Sequence, residues 1–165
     1  MNLSYRNATK EDLKDLKKLG IKSWTPFRKQ LTDENWKLLN RSISDDKTYE
    51  DLINQSVCTV CVADETIVGM AFLVSNGNPT DIYLEEWSYI RFVSVDPEFG
   101  GRGIGRKLTT MCIDTAKQNG EHTIALHTSE MMDKALHIYE SLGFKLLREI
   151  APRMGKRYWL YKLEL

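Results

Sequence analysis

Apolar side chains recur three and four residues apart in some stretches of this chain and every second residue in others. The switches between those two periods outline the fold. Residues 3–7 alternate as a short strand. Thr9 then offers an N-cap with Asp12 in the first turn, and Leu13, Leu16, Leu19 and Gly20 follow at helical spacing until Pro26 breaks the helix. Trp36, Leu39 and Ile43 form the stripe of a second helix over 32–43, and 49–53 is a short third candidate. After this the chain turns β-branched. Residues 57–63 and 67–74 read as a hairpin across Asp64, Glu65 and Thr66, and 75–81 (SNGNPTD) is turn chemistry throughout. A strand over 87–95 precedes a helix over 103–119, which turns Ile104, Leu108, Met111, Cys112 and Ala116 inward and stops at Gly120. A strand (122–128), a helix (132–142, stopped by Gly143) and two strands (144–150 and 157–163) complete the order β-α-α-β-β-β-α-β-α-β-β. That order predicts an α/β domain with one mixed central sheet flanked by helices. No repeat, linker or composition shift divides residues 1–165, so a single domain is expected.

Composition narrows the function more than the fold. With 23 basic and 23 acidic residues the formal charge is zero, which argues against general nucleic-acid binding, since that needs a positive field. No apolar run reaches membrane-spanning length, and the opening stretch MNLSYRNATKEDLKDL lacks a signal-peptide core. Cys58, Cys61 and Cys112 suit a reducing cytoplasm better than a disulfide framework. Cys58 and Cys61 form a CxxC, but on a strand positions three apart face opposite ways, so the pair reads as core packing with no metal expected.

One stretch demands chemistry. VSVDPEFGGRGIGRKLTTM, residues 93–111, runs from a strand through Gly100, Gly101, Gly103 and Gly105 into a helix carrying Arg102, Arg106 and Lys107. A helix N-terminus presents unpaired N–H groups and about half a positive charge, and glycines let an anion approach them closely. The nucleoside-triphosphate loop is excluded, because Gly100 and Gly105 have its gap but Arg106-Lys107-Leu108 follow without a hydroxyl for magnesium. The dinucleotide fingerprint fails as well: counted from Gly101 its last glycine falls on Arg106, and counted from Gly103 on Leu108.

The run Val95-Asp96-Pro97 ahead of Gly101-Arg102-Gly103-Ile104-Gly105 closely resembles the acetyl-CoA loop of the GNAT N-acetyltransferase superfamily. Ala135-Leu136-His137-Ile138-Tyr139-Glu140-Ser141-Leu142-Gly143-Phe144 resembles that family's second signature, A-x-x-x-Y-x-x-x-G-F, and the opening Tyr5-Arg6-Asn7-Ala8-Thr9 its usual first strand. Two positions depart from the pattern. Gly100 stands where the family usually has Arg or Gln, and Met132 where Asn is frequent.

The resemblance implies the acyl-CoA N-acyltransferase fold and acetyl transfer from acetyl-CoA to a primary amine of a small molecule, peptide or protein. An acyl-CoA-binding domain of the same fold without catalysis is the alternative. The pyrophosphate would lie on the backbone of Gly100, Gly101, Gly103, Ile104 and Gly105, with Arg102 or Arg106 supplying charge. Met132 and Lys134 would border the cofactor at the second motif. The pantetheine arm would run beside the fourth strand at Phe92, Val93 and Val95, where a bulge is expected, and an N–H near Val93 would polarise the acetyl carbonyl. Tyr139 would protonate the departing thiolate. Glu86, at the start of the fourth strand, is the leading general base, with His127 and His137 as alternatives. Trp24, Phe27, Trp87 and Tyr89 would form the acceptor pocket. The basic tail containing Lys145, Arg148, Arg153, Lys156, Arg157 and Lys162 is either a solvated hairpin face or a holder of an acidic group. A homodimer is compatible with the aromatic content, and a cytoplasmic location follows from the cysteines.

Overall fold

In a computed structural model, which describes residues 2–165, seven strands form one sheet in the order β1-β2-β3-β4-β5-β7-β6. They are β1 (Leu3–Asn7), β2 (Ser56–Ala63), β3 (Thr66–Val74), β4 (Ser88–Val95), β5 (Thr123–Ser129), β6 (Lys145–Arg153) and β7 (Lys156–Glu164). Every neighbouring pair is antiparallel except β4 and β5, which run parallel. Five helices surround the sheet: α1 (Leu13–Trp24), α2 (Asp33–Ile43), α3 (Asp46–Gln55), α4 (Ile104–Gln118) and α5 (Asp133–Ser141). None is long and apolar enough to cross a membrane, among the described residues.

Local chemistry explains where elements begin and end. Asp12 anchors the entry to α1: its carboxylate accepts from Thr9 N at 2.8 Å and from both terminal nitrogens of Arg6 at 2.8 and 2.9 Å. The Arg6 guanidinium holds the Asp12 carboxyl below its ordinary range. Pro26 ends α1 as expected, although the chain continues as a 3-10 turn over Thr25–Gln30. α3 is longer than the sequence pattern indicated, because Asp45 caps it by accepting from Lys47 N at 3.0 Å. The hairpin between β2 and β3 turns on Asp64 and Glu65, both at positive φ (46° and 67°). That between β6 and β7 turns on Met154 and Gly155 in the same way, at 53° and 72°. β6 continues past Ile150 through Pro152 because it is an edge strand, where a missing N–H breaks no ladder.

Two apolar layers sandwich the sheet. On one face α4 and α5 pack Ile104, Leu108, Cys112 and Tyr139 against Cys61, Val68, Ile90 and Leu126. On the other, α1 and α3 bring Leu16, Leu19, Tyr49 and Leu52 onto Cys58, Val60, Met70 and Phe72. Cys58 and Cys61 therefore belong to opposite layers, as the strand period requires. Along the second face, beyond α3, the segment between β3 and β4 folds Ile82, Tyr83 and Trp87 over Val74, Tyr89, Ala125, Tyr158 and Leu160. Gly69 on β3 is what lets α4 lie so close: a Cβ there would meet Ile104 Cγ2 at 2.7 Å and Leu108 Cδ1 at 3.0 Å.

Candidate active site

The sheet opens at its centre. β4 and β5 are paired only at Ser88 with Ile124 and at Tyr89 with Ala125, so from Ile90 and Leu126 onward the strands part. On its other edge β4 is bulged: Met70 pairs with Ser94 and Phe72 with Arg91, leaving Phe92 and Val93 opposite Ala71 alone. Phe92 takes φ +57°, a left-handed conformation rare for an aromatic residue. It swings onto the face of Arg91, where its ring meets Tyr49 and Phe72 edge-on at 5.7 and 6.3 Å. Main-chain groups of β4 beyond Tyr89 thus face an opening instead of a strand.

The glycine turn lies at the far end of that opening. Gly101 and Gly103 have φ +75° and +76°, and space within 4 Å of where their Cβ atoms would lie is open. From Gly101 to Arg106 no main-chain N–H has a backbone partner among the described residues, and the first bond of the helix is Lys107 N to Gly103 O at 3.0 Å. This is a run of unpaired amides beside open space, fit for a diphosphate. Gly100 differs from the expectation, because its N–H donates to Pro97 O at 3.3 Å and its φ of −62° is open to any residue. Arg106 is tied across to Ser141 on α5, while Arg102 lies over the Phe99 ring at 5.3 Å with no ion-pair partner among the described residues. Asp96 and Glu98, which would repel a phosphate, are both held by Lys22 from α1.

Tyr139 projects from α5 into the α4 layer, 7% exposed and edge-on to Phe144 at 6.0 Å between centroids. Its hydroxyl has no hydrogen-bond partner among the described residues. No buried side-chain oxygen or nitrogen there lacks one, so the hydroxyl touches accessible space. Burial raises its pKa above the ordinary phenol value, and the group stays O–H at any physiological pH. Met132 is the N-cap of α5 without a side-chain bond to the helix end, its sulfur instead accepting from Thr128 Oγ1 at 3.9 Å, and Lys134 is exposed in the first turn.

The remaining expected residues scatter. Glu85 and Glu86 are exposed in a turn closed by Trp87 N and Leu84 O, ahead of β4 instead of on it. Glu86 lies six positions before Phe92, on the paired side of the splay. Trp87 is core beneath Lys162, and the Tyr89 hydroxyl donates to Asn78 O at 2.9 Å. Trp24 and Phe27 are half-buried against each other at 5.5 Å. An open cleft of about 530 Å³ lies by their turn, lined by Thr25, Pro26, Arg28, Lys29, Leu31 and Asp33, none of them on β4 or β5.

One cluster escaped the sequence reading. Tyr83 stacks on Tyr89 at 4.1 Å and 9°, and its hydroxyl lies 2.6 Å from Nδ1 of His127. Arg91 and His127 each stand two residues past the last β4–β5 rung, on the same face, one on either lip of the opening. Burial, reinforced by the charges of Arg153 and Arg91, pushes His127 down to about 4, so the ring is neutral and a weak base. His137 is exposed on α5. No group of His, Cys, Asp and Glu suited to a metal ion occurs among the described residues.

Known proteins resemble this chain in sequence and in fold. The profile of the acetyltransferase (GNAT) family matches residues 21–144. The L-amino acid N-acyltransferase MnaT of Escherichia coli is 34% identical over 70 residues, covering 41% of this chain and 40% of that protein. An uncharacterized N-acetyltransferase of Methanocaldococcus jannaschii is 28% identical over 146 residues, covering 86% of this chain and 60% of its own. The matches thus span 40% and 60% of these relatives' own length, under two thirds in each case. Among solved structures, PaiA N-acetyltransferase from Thermoplasma acidophilum in complex with coenzyme A superposes with a TM-score of 0.80 at 17% identity, over 99% of this chain and 100% of that one. That likeness identifies the acyl-CoA N-acyltransferase fold. The family profile spans more than half the sequence, from within α1 to the end of the second motif, and the chain belongs to the GNAT acetyltransferase family.

Proposed function

We propose that this protein transfers an acetyl group from acetyl-CoA to a primary amine of a small molecule, peptide or protein. The observation that carries the reading is the parting of β4 from β5 beyond Tyr89 and Ala125, with the unpaired amides of Gly101–Arg106 at one end. The open space at Gly101 and Gly103 fits a diphosphate, which those amides would bind, with Arg102 adjoining. Acetyl-CoA when bound supplies the acetyl group as a thioester. Main-chain groups of Phe92, Val93 and Val95, freed on the β5 side, would hold the arm like an added strand. The Val93 N–H would donate to the acetyl oxygen as negative charge builds on it.

Tyr139 is the general acid of this reading. Held as O–H, it donates a hydrogen bond to the departing sulfur and supplies the proton that sulfur takes up. Free thiols titrate near pKa 8.5, well below this phenol, so the hydrogen bond itself is the larger part of the assistance. Glu86 stands exposed in the turn before the paired end of β4, so a water in the opening is the better relay for the amine's proton. MnaT carries an amino-acid substrate in its name, and with the acceptor amine this supports a small-molecule acceptor as one candidate. The test is acetyl-CoA turnover on a panel of amines. Tyr139→Phe should lower kcat by about 10²-fold with CoA affinity retained; an unaltered kcat removes Tyr139 from the mechanism.

A further inference from the structure

The lip of the opening carries a side-chain set that the proposed acetyl transfer does not use. Arg91, on the Tyr89 face of β4, is exposed and has no ion-pair or hydrogen-bond partner among the described residues. Across the splay, Arg153 at the end of β6 is 3.8 Å from Asp81, which offsets part of its charge. His127 lies between Tyr83 and Tyr158, each 5.9 Å away by centroids.

The tautomer of His127 follows from its partner. Burial keeps Tyr83 a phenol, and Nδ1 of His127 is its one side-chain partner among the described residues, so the phenol donates and Nδ1 accepts. The ring proton therefore sits on Nε2. That atom has no partner, and since no buried side-chain nitrogen is left unpaired, it reaches accessible space. The lip thus offers donors only: a free planar guanidinium and an imidazole N–H.

We infer that this lip binds a carboxylate on the acceptor, with Arg91 as its principal holder and His127 Nε2–H as a second donor. The guanidinium fork pairs with the two carboxylate oxygens. Arg91 is next to the bulge at Phe92 and two residues from Val93, so the carboxylate of an α-amino acid held there would keep its amine along the same freed stretch of β4. Arg91 and His127 are thereby specificity residues, and His127 is a donor rather than the base. The inference rests on the acetyl-transfer reading for where the amine must lie.

The test separates the two. CoA is first titrated calorimetrically, which checks the transfer reading alone. L-amino acids and their α-amides are then titrated into both free and CoA-saturated protein. The free acids should bind at least 10-fold more tightly than the amides. Arg91→Gln should abolish that difference and leave CoA binding unaltered; Arg91→Lys, which keeps the charge without the fork, should retain part of it. Amides that bind as well as acids, a preference that survives Arg91→Gln, or no binding of any acid would each overturn the inference. Absent CoA binding would instead fault the transfer reading, with the acid–amide comparison on the free protein still deciding the role of Arg91.

Discussion

His127 concentrates the residue-scale physics of the site. A histidine ordinarily titrates near 6.5 and here is pushed to about 4 by burial and two arginines. Between those values the unfolded chain binds the proton and the folded chain does not, so stability is complete above pH 6.5 and falls as the pH drops toward 4. The loss attributable to this group is at most about 3 kcal/mol. Asp12, held low by Arg6, loses its contribution as the pH falls through the ordinary carboxylate range toward its depressed value. Urea unfolding of the parent and His127→Gln across pH 7.5 to 4 isolates the histidine. The parent should lose more stability than the variant over that window, whereas parallel curves would show that the ring titrates freely. Tyr139 was legible as a residue because a motif surrounds it, but its unpartnered hydroxyl was not, since exposure of one atom has no sequence signature.

At the scale of elements, the glycines divide into those that need to be glycine and those that do not. Gly103 at φ +76° forms the entry to α4, and an L-residue there costs about 1–2 kcal/mol. Gly69 is required by packing, since an added methyl would push Ile104 and with it the first turn of α4. Gly69→Ala should lower stability by about 1–3 kcal/mol and weaken CoA binding through the displaced amides. Gly100→Ala, whose Cβ meets only Pro97 O at 3.4 Å, should do neither. Thermal unfolding with CoA titration of both variants decides it, and equal effects would break the link between packing at β3 and the anion turn. Helices and strands were readable here because each carries its period locally: α4 with Ile104, Leu108 and Cys112 was placed within a residue or so of its ends. Glu86 was misplaced because an acidic pair before an apolar run reads alike as strand start or turn, and the bond from Trp87 N to Leu84 O makes it a turn.

The whole molecule is a sheet built to come apart at one seam. Antiparallel ladders on either side, β1 to β4 and β5 to β6, are each held by long pairings, and the single parallel junction between them is two rungs long. That seam joins residues 88–89 to 124–125, with α4 between them in the chain, so no local pattern could announce it. The element order was legible and implied the neighbours; the Tyr83, Arg91 and His127 cluster required the register. α4 and α5 close one face of the seam, and the Tyr83 segment closes the other beside Arg91. The central claim is that coenzyme A lies in this seam with its diphosphate on the entrance to α4. The most direct measurement is a ¹⁵N–¹H spectrum of the protein titrated with CoA. Saturable shifts should concentrate at Val93 and at Gly101 through Arg106, with half-saturation within about 1 μM to 1 mM. Shifts confined to other parts of the chain, or a spectrum unmoved at millimolar CoA, would contradict the account.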